Sequence, residues 1–229
     1  MKSWCIAKPS ASFVCKMEDV LEVYHRPHDP LRPVVCLDER PKTLRDTPRG
    51  GLPAGPGRAA RQDYEYERHG SCNVFLCVEP LVGKRQVSVT QRRTLLDFAD
   101  QLRLLSDDLY PQAEKIVLVL DNLNTHTAAA LYERFAPAEA RRIASRFEWH
   151  WTPEHGSWLN MAECELSVLS RQCLGRRLAT VEEVARQVAA WQTRRGQLNA
   201  TIRWQFSTAD ARIKLRRLYP ETKEHNQLY

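Results

Sequence analysis

No run of apolar residues in this chain approaches the roughly 18 that a membrane-crossing helix requires, and the N-terminal stretch Met1–Phe13 holds no apolar core of signal-peptide length. Neither a membrane partner nor export is expected. The seven cysteines are an odd set, with no Cys-x-x-Cys pair and no histidine at zinc-finger spacing, so a disulfide scaffold and a structural zinc site are both disfavoured. Cys36, Cys164 and Cys173 fall in apolar patterns and are expected as buried, reduced thiols of a cytoplasmic protein. No Gly-x-Ser-x-Gly elbow is present, so His126 or His155 with Ser157 does not read as a hydrolase triad. Internal repeats are lacking too. The one biased tract is Thr47–Gly57, where seven of eleven residues are Gly or Pro. No helix or interior strand survives that density, and an ordered loop or a mobile arm is expected.

What is present is a chain of 229 residues, enough for one sizeable core with small appendages. Its net charge of +6 is unevenly placed: Arg171 to Arg217 carries eleven Lys or Arg against three acids. A basic surface of this kind attracts a polyanion and raises encounter rates, although a merely solvated face has the same composition.

Apolar residues at Phe13, Met17, Val20, Leu21 and Tyr24 predict a helix over 12–25 that stops before Pro27. A short buried strand follows at 32–39, then strands at 63–68, 72–80 and 84–90 with short connections. Thr90 is placed to cap a helix with Leu95, Phe98, Ala99, Leu102, Leu105 and Leu109 on its apolar face. KIVLVLD (115–121) is the clearest buried strand. Helices are expected over 127–135 and 137–146, a strand over 147–151, and a helix from about Leu159 with Ala162, Leu166, Leu169 and Cys173 inward. On that helix Asn160, Glu163, Ser167 and Arg171 share a polar face. Thr180 and Glu183 form a capping box for a last helix that buries Val181, Val184, Val188 and Trp191.

This order predicts an α/β fold: a ribonuclease-H-like mixed five-stranded sheet flanked by helices, with the first and fourth strands side by side. Three carboxylates then converge at one sheet edge. Asp38 closes PVVCLD, Asp121 closes IVLVLD, and Glu163 rides the helix after the fifth strand. Carboxylates at strand ends reach the rim where open α/β sheets bind ligands, and three together suit a hard divalent cation. Each alone is as well explained as a backbone cap or a solvated helix acid; the three in this order point to metal-assisted phosphoryl transfer.

The segments RPVVCLDERP (32–41), DYEYERHG (63–70), EKIVLVLDNLNTH (114–126), TPEHGSWLNMAECELSVLSRQCL (152–174) and DARIKLRRLYP (210–220) resemble the catalytic half of a bacterial mariner-like DDE transposase, of the insertion-sequence family numbered six-thirty. The resemblance runs from Trp4 to Pro220. It implies a ribonuclease-H-like domain that cuts transposon ends and joins the freed 3′-OH to target DNA, with Asp38, Asp121 and Glu163 as catalytic triad and metal ligands. Mg²⁺ is the implied cofactor, as two ions, with Mn²⁺ as a substitute. It further implies DNA partners, a TA target dinucleotide, a homodimer and a bacterial, nucleoid-associated location. The family carries N-terminal helix-turn-helix modules, and the residues before Asp38 are too few for them, so a catalytic domain without those modules is expected. The organisation read from this is an N-terminal helical extension (1–31), a catalytic domain (32–200) and a basic C-terminal tail (201–229). The alternative is a catalytically silent remnant that binds DNA or a full-length partner; a host nuclease acting on RNA·DNA hybrids is a third reading.

Around the triad, Glu39 faces away from Asp38 if the strand continues and reads as a solvated acid. Glu165 points elsewhere on the helix than Glu163. Asn122, Asn124 and His126 either orient a phosphate or form a polar turn before a helix. His155, Ser157 and Trp158 either meet a phosphate and stack on a base or, for Trp158, anchor the core. Asn160, Arg171, Arg176 and Arg177 complete the expected nucleic-acid contacts, the arginines through backbone phosphates.

Overall fold

Ser10 opens the first helix by accepting a hydrogen bond from the Phe13 N–H. The computed structural model describes residues 10–220, so Cys5 and the end of the expected C-terminal tail lie outside the described residues. Helix α1 (Ala11–Tyr24) buries Phe13, Met17, Val20, Leu21, Val23 and Tyr24, as its period predicts.

Strand β1 (Val34–Asp46) runs well past the expected end at Glu39. Its partner is the equally long β4 (Glu67–Glu79), antiparallel from Cys36↔Val78 to Asp46↔Glu67 with a bulge between Thr43 and Arg45. The Gly/Pro tract lies in the arm at the tip of this ribbon, where β2 (Gly51–Leu52) and β3 (Arg61–Gln62) pair as a two-stranded sheet. The strand expected at 63–68 is not formed as such: only Glu67 and Arg68 lie in a strand, and they belong to β4. Asp63 takes the Glu65 N–H with its side chain at 3.1 Å, a local bond that competes with a ladder.

β5 (Lys84–Thr90) completes the meander. Thr90 does not cap the next helix. Its hydroxyl donates to the Arg92 carbonyl, and Thr94 caps α2 (Leu95–Arg103) because Asp97 at the third helical position returns the bond in a capping box. β6 (Ile116–Leu120), α3 (Ala129–Arg134), α4 (Pro137–Ala144) and β7 (Phe147–Trp151) follow in the expected order. α5 (Met161–Leu169) passes directly into a π-helical turn over Ser170–Leu174, and α6 (Val181–Gln197) and α7 (Thr208–Lys214) close the chain.

The sheet order is β5-β4-β1-β6-β7, with β1, β6 and β7 parallel and the β5-β4-β1 side antiparallel. The expected first and fourth strands, β1 and β6, are neighbours. Strand alternation sorts side chains between two cores. Cys36, Val117 and Val119 join α1, α5, α6 and α7 on one face. Val35, Leu37, Ile116, Leu118 and Leu120 join α2, α3 and α4 on the other. Each fully buried Leu, Ile or Val contributes about 1.5–3 kcal/mol, so both faces hold the sheet firmly. The segments expected as an extension and a tail contribute to the first core: α1 lies within it, and Ile202, Trp204, Phe206, Leu215 and Leu218 pack on it. Cys36 and Cys173 are buried as expected, but Cys164 is exposed on α5.

Candidate active site

Pairing of β1 with β6 extends only from Val34↔Val117 to Cys36↔Val119. β6 ends at Leu120 while β1 continues, so Asp38 sits where β1 loses its parallel neighbour, and Asp121 is the first residue beyond that neighbour. Asp38 shares the strand face of Cys36, toward α5. The third acid comes from α5. Asn160 is fully buried as its N-cap: Oδ1 accepts from the Ala162 N–H at 3.1 Å, and Nδ2 donates to the Leu37 carbonyl at 2.9 Å. The cap thus ties the helix start to β1 beside Asp38, whose Oδ2 lies 3.4 Å from the same amide nitrogen. Tyr24 adds a second tie by donating its hydroxyl to the Leu159 carbonyl at 2.7 Å. Glu163, one turn on, is delivered to the same edge. The loop into α5 requires a glycine at 156, since a Cβ there would lie 2.5 Å from Pro153 Cγ.

Asp38 senses the charge of the other two acids. The Asp38 carboxyl is pushed up to about 7, first by burial and then by the negative charge of Glu163, with Asp121 and Glu39 adding to it; a hydrogen bond from the Glu39 N–H only partly offsets this. Asp121 and Glu163 are partly open to solvent, and each holds a cation of the protein. Arg40 Nη2 donates to Glu163 Oε2 at 3.1 Å and anchors its other arm on Ser170 Oγ in the π-helical turn. His126 Nδ1 lies 2.5 Å from Asp121 Oδ1.

Glu39 corrects the sequence reading. Far from being solvated, it is buried on the opposite sheet face, 3.0 Å from His126 Nε2 and 3.3 Å from Arg93 Nη1. β1 continues beyond it, so α2 and the Asp121 loop cover that face. His126 is therefore clamped between two acids. Burial works against its charge, but the Asp121 and Glu39 contacts outweigh burial and raise the imidazole to about 9.

His126 and Asn160, expected at the nucleic-acid surface, are both buried, and they position the site from within. The other candidates are accessible. Asn122 is exposed and accepts from Lys16 Nζ at 3.2 Å. His155 is exposed in left-handed backbone (φ 60°). Trp158 is 45 % exposed yet stacks on Trp204 at 6.4 Å, so it is both anchor and surface. Arg171 and Arg176 are exposed, and Arg177 is half-buried. Glu165 is buried between Arg85 at 3.3 Å and Arg195 at 2.7 Å, away from the triad.

Among the described residues no three His, Cys, Asp or Glu side chains stand close enough to hold an ion as they are placed. The donor chemistry nonetheless fits a hard divalent cation. It is all carboxylate oxygen, two of the three acids are reachable from solvent, and burial together with the neighbouring negative charge raises Asp38, which a cation would reverse.

The sequence model of the DDE superfamily endonucleases matches residues 33–185, the span that contains all three acids. The chain belongs to this family. The solved structure of the mariner Mos1 paired-end complex with Mg has the same fold, with a TM-score of 0.53 at 16 % identity over 96 % of this chain and 68 % of that one. The Mos1 strand transfer complex is 15 % identical over 84 % of this chain, with a TM-score of 0.49. The Mos1 paired-end complex with Mn is 16 % identical over the same share, with a TM-score of 0.48. This chain spans a little under three-fifths of the length of each of these last two. Among curated proteins none matches the chain. No helix among the described residues is long and apolar enough to cross a membrane.

Proposed function

We propose that this chain is the catalytic domain of a DDE transposase, of the mariner-like insertion-sequence family six-thirty, and that it cuts and rejoins DNA. The observation that carries this reading is Asp38. It is a strand carboxyl that burial first, and then the charge of Glu163 with a smaller part from Asp121, push up to about 7, within a span that matches the family. Of the three acids only Asp38 has no cation of the protein against it among the described residues, and a bound cationic ligand would supply one. Asp38, Asp121 and Glu163 would hold two Mg²⁺, or Mn²⁺ in their place. Bound there, the metal supplies activation of the attacking hydroxyl and stabilisation of the leaving oxygen.

The chain's own residues prepare that site. His126 orients Asp121 and is itself fixed by Glu39. Asn160 sets the distance between α5 and β1. Arg40 neutralises Glu163 and ties it to β1. The DNA partners are transposon ends and target DNA, the assembly is a homodimer, and the location is the bacterial cytoplasm at the nucleoid. The fold of the Mos1 paired-end complex supports the DNA assignment.

The test is nicking of supercoiled plasmid with Mg²⁺ or Mn²⁺ by wild type and by Asp121→Ala. Metal-dependent cutting that disappears in the variant is expected. Absence of cutting with salt-sensitive DNA binding intact in both proteins would instead favour the silent remnant.

A further inference from the structure

Beyond the acidic centre, the long β1–β4 ribbon and the turn after α5 flank a half-open cavity of about 410 Å³ whose polar lining includes Lys42, Thr43, Arg45, Arg176 and Arg177 beside Gly175. We propose that this cavity is a second, non-catalytic phosphate site that grips the DNA backbone a few nucleotides from the scissile bond. The inference rests on the reading of the chain as a DNA strand-transfer domain.

Four cations share this cavity without an acid among its lining residues, and among the described residues none of the four is ion-paired with an acid. Ligand cavities are ordinarily apolar with a few polar groups; a lining of this charge selects an anion. The cations are also held in place. Lys42 Nζ donates to the carbonyls of Leu174 at 2.6 Å and Arg176 at 2.7 Å, leaving one ammonium proton to give. Arg45 lies over the Tyr66 ring at 4.6 Å, and its buried Nε has no hydrogen-bond partner. Arg177 is fixed by the Tyr64 and Glu65 carbonyls of the arm and lies 5.6 Å from the same ring. Arg176 spends only Nε, on the Cys173 carbonyl. Burial first, and the charge of Arg45 second, lower the Lys42 ammonium from its usual range. The repulsion between Lys42 and Arg45 is what an anion in the cavity would relieve.

The placement fits one continuous strand of nucleic acid. Asp38, Arg40 and Lys42 alternate onto one face of β1, and the bulge between Thr43 and Arg45 turns Arg45 back to the cavity. Lys42 and Arg45 stand four and seven residues past Asp38. At about 3.3 Å per residue the cavity lies about 13–23 Å from Asp38. That span equals about four to seven nucleotides along one strand of a duplex.

The experiment measures affinity for a short fluorescent duplex by anisotropy across a salt series, for wild type, Arg176→Gln and Arg45→Gln/Arg176→Gln. A site that releases counterions predicts a salt slope reduced by about one in the double variant and an affinity about tenfold weaker near physiological salt. Arg176 is exposed, so its single variant keeps the test intact if the double variant misfolds; it should show part of the same flattening. Wild-type binding with unchanged slope in the variants overturns the cavity site alone. No DNA binding by wild type overturns the functional reading and the inference with it. A third arm titrates inorganic phosphate: saturable binding lost in the variants, with DNA affinity untouched, would assign the cavity to the free ion and overturn the backbone site.

Discussion

His126 Nδ1 stands 2.5 Å from Asp121 Oδ1, while the far nitrogen of the same ring stands 3.0 Å from the buried Glu39. One imidazole thus couples a candidate metal ligand to an acid on the opposite face of β1. Such partners fix the orientation of a ligating carboxylate, and losing one typically costs 10–100-fold in metal affinity or activity. We expect His126→Gln to raise the Mn²⁺ concentration needed for half-maximal nicking by about tenfold or more. At saturating metal, part of the rate should return. A variant with wild-type metal dependence would show that the ring is only a core filler.

Glu39→Gln should act through the same ring. Removing one member of a buried charge pair costs about 3–5 kcal/mol when its partner stays charged, but the His126 imidazole keeps Asp121 as a second counter-charge. The loss should therefore fall at or below the lower end, with a metal dependence shifted in the direction of His126→Gln. Urea unfolding and a Mn²⁺ titration check the two halves. A stable variant with unaltered metal response would separate Glu39 from the site.

Asp38 gives a pH prediction whose sign can be worked out. Its folded value of about 7 lies above the ordinary 3.8, so between those values the folded state holds the proton that the unfolded state has lost. Stability of the metal-free protein should fall as pH rises from about 4 to about 7, by up to about 4 kcal/mol from this group. His126 acts in the next window: its folded value of about 9 exceeds 6.5, so its stabilisation is full below 6.5 and lost as pH rises through about 9. Asp38→Asn should abolish nicking, stabilise the metal-free fold and remove the lower limb of the profile. Equal profiles for both proteins in EDTA would refute the argument.

Much of this arrangement was legible because strand and helix periods are strong signals. IVLVLD and PVVCLD are apolar runs that each end in an acid, and their adjacency followed from the order of elements. Glu39 and Arg40 were harder to read. Nothing in RPVVCLDERPKTLRD announces that the strand continues to Asp46, because its pairing is supplied by β4, some thirty residues on. A charged residue on such a strand looks solvated until the covering helix is placed. The cap of α2 is ambiguous in sequence because Thr90 and Thr94 are both competent caps, and only Asp97 decides between them. Tyr66 resembled a strand residue, whereas its ring serves the arginines of the ribbon.

Glu163 and Glu165, two residues apart on α5, should separate cleanly. Glu163 is partly exposed and its Arg40 partner equally so. Glu163→Gln should therefore leave stability within about 0.5 kcal/mol, as surface substitutions usually do, and eliminate nicking. Glu165 is 1 % exposed between Arg85 and Arg195. Glu165→Gln should destabilise by about 3 kcal/mol, because the buried Arg85 guanidinium and the partly buried Arg195 lose their counter-charge, while the folded fraction still cuts. Thermal unfolding paired with nicking per folded molecule measures both. The reverse assignment of effects would move the third acid from Glu163 to Glu165.

Trp158 tests where unpaired bases go. One part of its ring rests on Trp204 and Phe206, at 6.4 and 6.3 Å between centroids, and the rest is open beside the entry to α5. An aromatic ring that is held on one side and free on the other is a stacking platform, with a base contributing about 1–3 kcal/mol. Trp158→Ala should weaken binding of DNA with a single-stranded end by about tenfold, which corresponds to about 1.4 kcal/mol. Blunt duplex affinity should hold, since phosphate contacts carry it. Trp158→Phe keeps a π-face and should recover most of the loss. An equal loss for both DNA forms would place Trp158 in the core support of α5, where its contact with Trp204 already puts half of its ring.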